Sequence, residues 1–380
     1  MRLSTLDILC CPICRSNYNA KTAEERNTNI HYGSLVCAKC NTSVPICSGF
    51  ALFTETVSYD EKRHDHDDLQ KLENSLFGDP YRYEMFVRQK PRRPIHDAYA
   101  TFQPFNESSQ AFLPLVPLLR QILKPGDLIL DTWCRTGWSA GFLSGLFPDQ
   151  QIISIWEGNS DTLGYRGFRY WYSQLPEENN IEIVFHSMNR PLPLKDNSFS
   201  AIHALDTLHR YEQNVVIPEL LRVTKLDGAI LFPHVHLANA QPVPYFDRGG
   251  TILHGKDYKE RFGNLLEGSG RKVFVLSEPE TFLITEPKPL RDNSDTSDYN
   301  GLVVVVPEKF EGYHLYRETI GPDEAAAYII VNPIYSINLN IGSVQLDGKK
   351  LSGSVGKLFF RHPIYEKKLR SAAINTLTVE

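Results

Sequence analysis

Two CxxC pairs near the start constrain this chain more than anything else in it. Cys11 and Cys14 form the first, Cys37 and Cys40 the second, with 22 residues between them. A CxxC turn places two thiolates on one side of a metal, and two such knuckles close the tetrahedron that zinc prefers. A redox-active CxxC is usually single and opens a helix after a strand, which this arrangement does not match. A module of some fifty residues buries too little surface to fold unaided, so the metal supplies the missing free energy. Six of the seven cysteines fall within residues 10–47 and the seventh is Cys134. An odd number bunched at one end is not a secreted disulfide framework and points to a reducing compartment. Cys10 and Cys47 read as packing residues rather than ligands.

The wording around the cysteines adds a resemblance. Residues 6–14 (LDILCCPIC), 35–40 (LVCAKC) and 44–50 (VPICSGF) are similar to the zinc-ribbon activator family that partners RNA and protein methyltransferases. The similarity covers about residues 3–53. It implies a structural zinc held by four thiolates, with no open coordination position, and a docking role toward a protein partner.

Length and charge bound the rest. A chain of 380 residues is too long for one typical core. A net charge of −5 gives no general basic surface for nucleic acid. Neither a signal peptide nor an apolar run long enough to span a membrane is evident, and the expected location is the cytoplasm. Residues 56–107 are polar and mixed, and their His/Asp-rich stretch, Asp60–Asp68, reads as a solvated linker or helix face.

From Ser108 the pattern changes. Ser108 or Ser109 is placed to cap a helix with apolar positions at Phe112, Leu115, Leu119, Ile122 and Leu123, ended by Pro125 and Gly126. Short apolar runs at 127–131, 152–156, 181–185, 201–205 and 229–232 read as buried strands separated by helical stretches. Residues 271–277 and 302–306 supply the last two. The expected architecture is α/β, a doubly wound and mostly parallel sheet over residues 108–310, behind a zinc ribbon at 1–55. Residues 311–380 read as a small β-rich appendage with turns at Asp347-Gly348 and Ser352-Gly353.

Three segments in series resemble class I S-adenosylmethionine-dependent methyltransferases of the type 11 kind: 127–138 (DLILDTWCRTGW), 191–200 (PLPLKDNSFS) and 221–231 (LRVTKLDGAIL). The resemblance implies a Rossmann-like fold and a cofactor cleft lined by Asp131, Trp133, Arg135, Gly137, Glu157 and Met188. It also shows departures. Trp133 and Arg135 occupy positions where glycine lets the backbone lie against the cofactor. Trp156 stands where the ribose-binding acid should end the second strand, with Glu157 next to it. Met188 replaces the acid on the adenine side, Ser200 an aspartate, and Leu226-Asp227 a Pro-Gly. These changes predict weak binding of S-adenosylmethionine or none. Trp133 can stack on adenine or fill the cavity. Arg135 can reach an anion, pair with Glu157, or point outward.

Ligands in open α/β sheets sit outside the carboxyl ends of the strands. Asp206 and His209 should follow the fourth strand, and His234 and His236 the fifth. An extended segment places His234 and His236 on one face, where they can hold a metal, act as a base, or grip a substrate. His209 or His234 is the expected general base for methyl transfer to oxygen or nitrogen. Two functions remain open. One is a methyltransferase acting on a small-molecule or carrier-bound substrate. The other is a domain that has lost the cofactor and serves as a binding or scaffold subunit, or runs other chemistry in the altered pocket.

Overall fold

The computed structural model describes residues 1–55, 57–58, 65–77, 102–103, 113–132, 138–157, 180–238, 249–281, 286–294 and 300–309, together with short strands between 314 and 350. The N-terminal strands are β1 (Tyr18–Arg26), β2 (Asn29–Cys37), β3 (Thr42–Cys47) and β4 (Phe50–Leu52). Helix α1 (His66–Phe77) follows, and then α2 (Val116–Ile122). The α/β part comprises β5 (Leu128–Thr132), α3 (Trp138–Leu146), β6 (Gln151–Trp156), β7 (Ile181–Phe185), β8 (Phe199–Ala204), α4 (Gln213–Val223), β9 (Thr224–Val235), α5 (Gly255–Leu266), β10 (Arg271–Ser277), the single-turn α6 (Glu278–Thr281) and β11 (Gly301–Pro307).

All seven sequence-predicted strands appear, within a few residues of the expected ends. Their spatial order is β7-β6-β5-β8-β9-β11-β10. The first five run parallel and β11 is antiparallel to both neighbours. The order reverses between β5 and β8, which creates the crevice where such sheets take ligands. The central strands are buried on both faces, as helix-covered parallel strands must be. Gly228 has a steric reason: a Cβ there would meet the Ser200 carbonyl oxygen at 2.8 Å. The second glycine of the resembling motif is therefore kept at Gly228 although the Pro-Gly before it is replaced by Leu226-Asp227.

The ribbon does not stand apart. β4 pairs in parallel with β7, Ala51 opposite Val184 and Leu52 opposite Phe185, so β1 to β4 continue the sheet. The first knuckle adds contacts. The Cys10 amide donates to the Pro193 carbonyl at 3.0 Å and Lys195 to Ile8 at 2.9 Å. The Arg15 guanidinium donates to the Leu192 carbonyl at 2.9 Å and pairs with Glu219 at 3.0 Å. One cluster of buried side chains runs from Leu9, Leu35 and Ile46 of the ribbon through Val184 to Ile230 and Val303.

Helix α1 takes up the helix-face alternative for the end of the His/Asp stretch, with Asp67 exposed, and it also has a buried face that its composition does not suggest. Leu69, Glu73 and Phe77 recur at four-residue spacing and are buried. Tyr32 and Ser48 both donate to the Glu73 carboxylate. Phe77 meets Phe185 edge to face at 5.5 Å. His66 bonds Glu24 at 2.7 Å and joins no metal cluster among the described residues, which do not include 60–64. The helix expected from Ser108 is described from Leu113, where a short 3-10 turn leads into α2.

In the C-terminal region Tyr335–Asn338, Ser343–Leu346 and Lys349–Lys350 form an antiparallel meander, and Leu346 pairs Lys349 across the expected turn. Ser352-Gly353 lies outside the described residues. Among the described residues no helix is long and apolar enough to cross a membrane.

A shared sheet and core predict joint unfolding. Leu52 is fully buried between β3 and β7, so Leu52→Ala should cost about 2–5 kcal/mol. Calorimetry should show ribbon and sheet melting in one transition that shifts together. A separate early transition confined to the ribbon would contradict the shared core.

Candidate functional site

Among the described residues two constellations gather groups capable of chemistry, and the first is the ribbon's thiol cluster. The two knuckles share one backbone design. The Arg15 amide donates to the Cys11 carbonyl at 2.8 Å and the Asn41 amide to Cys37 at 3.1 Å. Arg15 and Asn41, each following the second cysteine of its pair, take left-handed φ values of 61° and 57°. This turns the chain so that both sulfurs face inward. Cys11 and Cys40 approach to 3.5 Å, Cys14 and Cys37 to 3.4 Å, and all four sulfurs lie within 4.8 Å of one another. A tetrahedral zinc with bonds of about 2.3 Å needs sulfurs roughly 3.8 Å apart, so these four fit a closed structural site. The Thr42 hydroxyl, 3.0 Å from Cys40, is the main influence that holds that thiol at about 6, already suited to deprotonation.

The second constellation lines the carboxyl ends of the central strands. Asp131, at the end of β5, is fully buried. Its Oδ1 bonds His203 Nδ1 at 2.8 Å; its Oδ2 accepts from Ser139 at 2.9 Å and Ser154 at 3.1 Å. The two carboxylate oxygens therefore tie β5 to β6, β8 and α3; His203, 72 residues away in the chain, is a partner that no motif marks. Glu157 follows β6 and accepts a bond from the Met188 amide at 3.2 Å, so these two predicted residues come together beyond β6 and β7. Trp133, Arg135 and Gly137 lie outside the described residues. Ser200 receives Lys225, which also pairs with Asp127 at 2.9 Å, so the serine that replaces an acid serves a polar tether at the strands' other end.

The histidines gather at the ends of β8 and β9: His209 and His236 follow those strands, whereas His234, expected after the fifth strand, is the penultimate residue of β9. Asp206 and His234 both take left-handed backbone, with φ of 52° and 56°. Phe232 pairs Val303 whereas Val235 pairs Gly301, so β9 holds one extra residue over this stretch. That is a β-bulge, a device that re-aims a side chain at a sheet's rim. The expected alternation of His234 and His236 is thus broken, and their rings meet edge to face at 5.1 Å. His236 instead stacks on His209, centroids 4.0 Å apart and planes 21° apart.

A metal at Asp206, His209 and His236 is suggested by proximity, since their ligand atoms fall within 4.8 Å. Ring geometry argues against it. A metal binds in the plane of an imidazole, and two nearly parallel stacked rings offer lone pairs that do not converge. His209 Nδ1 also accepts the His236 backbone N–H at 3.3 Å, which leaves the proton on Nε2. Nε2–H faces Asp206 Oδ1 at 3.8 Å. Burial, reinforced by His236 and opposed by Asp206, holds His209 well below the usual histidine range. His209 is therefore a neutral donor in this arrangement.

His234 differs. Its Nδ1 lies 3.2 and 3.1 Å from the two oxygens of Glu278, which is fully buried at the start of α6. Glu278 was not singled out in the sequence because it follows β10, 44 residues after its partner.

Residues 2–49 match the Trm112p-like protein family (Trm112p). No curated protein is matched by the chain. Among solved structures the chain is similar to one in a complex containing the Haloferax volcanii Trm112 methyltransferase activator, at 12% identity, TM-score 0.37, covering 60% of this chain and 98% of that one. It is similar to a SAM-dependent methyltransferase from Aquifex aeolicus at 17% identity and TM-score 0.33, covering 60% and 97%. It is similar to the methyltransferase domain of bacterial CtHen1 at 13% identity and TM-score 0.38, covering 53% and 99%. The chain joins a Trm112p-like zinc ribbon to an α/β unit with the open, doubly wound sheet that its methyltransferase-like motifs imply.

Metal analysis of protein purified without chelators should find about one zinc per chain. Cys37→Ser should lose it and, because the core is shared, destabilise the whole sheet. A metal-free protein of unchanged stability would contradict the assignment. Asp131→Ala should destabilise by about 3–5 kcal/mol, since it strips a buried histidine of its partner. A denaturant midpoint within error of the parent would show that the network is dispensable.

Proposed function

We propose that the chain is a methyltransferase that uses S-adenosylmethionine on a small-molecule or carrier-bound substrate. The observation that carries this reading is the Glu157 carboxylate beyond β6, beside the sheet's switch point and bonded to the Met188 amide. A carboxylate there is placed to accept the two ribose hydroxyls of a nucleoside, above the buried side chains of Met188 and Trp156. On this reading the cluster after β8 and β9 sits at the reacting end, and His209 or His234 takes the proton released by the nucleophile. The zinc ribbon is structural and completes the sheet; its exposed side, with Ile13 at the tip of the first knuckle, is where a further protein partner would dock.

A second reading, a domain that no longer binds the cofactor and acts as a binding or scaffold subunit, draws on Asp131. Both its oxygens are spent on protein side chains rather than held toward the cleft. Calorimetric titration with S-adenosylmethionine and its demethylated product separates the two. The first reading expects weak, saturable binding that Glu157→Ala reduces at least about tenfold, roughly 1.4 kcal/mol. Absence of binding at millimolar ligand would leave the second.

A further inference from the structure

Resting on the methyltransferase reading, we infer that Glu278 is a positioning residue that fixes the His234 imidazole with Nε2 as its basic nitrogen, making His234 rather than His209 the general base. Four observations carry this. Glu278 is fully buried at the first position of α6, and both its oxygens lie within 3.2 Å of His234 Nδ1. An ionised carboxylate only accepts, so Nδ1 carries the proton and Nε2 keeps the lone pair. The backbone is bent to make the contact: the bulge between Phe232 and Val235 holds His234 at a φ of 56°, a conformation costly for a side chain of this kind. His209 has the opposite arrangement, with Nδ1 taken by a backbone N–H.

The roles then divide. His209, neutral, turns its Nε2 toward Asp206 Oδ1 at 3.8 Å, a contact too long for a hydrogen bond. His234 accepts a proton. A bound sulfonium methyl donor would supply the methyl group, its C–S bond breaking to leave a neutral thioether as the substrate's X–C bond forms, and His234 Nε2 would take the proton released from X–H. The negative Glu278 stabilises the imidazolium that results. Among the described residues, the titratable groups that act on His234 besides Glu278 are His236, whose ring meets it just after β9, and His209 after β8, with Asp206 and Arg210 acting on His209. His209 and His236 stack, so a second positive charge beside them is disfavoured, and Glu278 is the group that makes His234 the site of protonation.

The test is nitrogen NMR of the imidazoles in the full chain, with the His234 signal assigned by its loss in His234→Gln. The expected result is a protonated Nδ1 and an unprotonated Nε2 at neutral pH. In Glu278→Gln the His234 titration should move down by about one pH unit, because a carboxylate favours the charged ring. Glu278→Asp should restore part of that shift. Under turnover, Glu278→Gln should lower kcat more than KM and carry the acid limb of the rate profile down with the His234 titration. A proton on Nε2, or a His234 titration unmoved by Glu278→Gln, overturns the inference. If Glu278→Gln does not fold, the tautomer in the parent protein decides alone. Failure to bind S-adenosylmethionine would instead remove the methyltransferase reading, and the NMR result is independent of it.

Discussion

The pairing of β4 with β7 is the contact on which the architecture turns. β7 would otherwise be the edge of the parallel sheet, with a row of unpaired N–H and C=O groups, although every one of its side chains is buried. An edge of that kind must be covered. The ribbon covers it with Ala51 and Leu52, and the aromatic side chains of Phe50, Phe77 and Phe185 close over the join. Zinc holds the knuckles, the knuckles hold the ribbon's strands, and the last of those strands completes the sheet. A small metal-dependent module thereby supports a much larger fold, within one chain.

That constraint reaches the cleft. β7 leads directly into the turn containing Met188, whose amide bonds Glu157, and the following segment is gripped from the ribbon side through Leu192 and Pro193. The Arg15 guanidinium that makes one of these bonds leaves the chain just after Cys14, from a left-handed residue. Its partner Glu219 also binds Arg222, which pairs with Asp196. These ion pairs are partly exposed and each contributes little alone. Their effect is geometric, because they hold one wall of the crevice against the zinc site.

Much of this fold was legible because parallel strands buried on both faces are continuous apolar runs. Residues 181–185 were located to the residue for that reason, whereas 271–277, an antiparallel edge strand only partly buried, was located by its apolar run Val273–Leu276. The zinc ligands were legible because their spacing is itself the geometry. Helix α1 was not, because its buried face includes Glu73, and a charged residue reads as solvent-facing until Tyr32 and Ser48 are seen to satisfy it. The union of ribbon and sheet was also hidden, since two residues of backbone pairing leave no periodic signal. In the cleft, His209 and His234 were found by counting from strand ends, yet sequence gave both the same prospects. Their difference lies in what each Nδ1 faces, a backbone N–H or a carboxylate, and in a bulge that depends on register with β11.

Asp131 shows why resemblance and role separate. Its position in the first methyltransferase-like motif marks it for the cofactor, whereas its oxygens are consumed by His203, Ser139 and Ser154. A buried carboxylate without such partners would be costly, and with them it pins four elements at the switch point. Keeping the motif's acid is thus required by the fold whether or not a cofactor is bound. Glu157, His234 and Glu278 are different in kind. Holding His234 in a left-handed bulge costs stability that an ordinary residue in regular strand would not, and strain of this sort persists where surrounding structure over-determines it. The proposed chemistry accordingly rests on the strained histidine and its buried glutamate, while the bonds of the motif's aspartate tie together the strands around them.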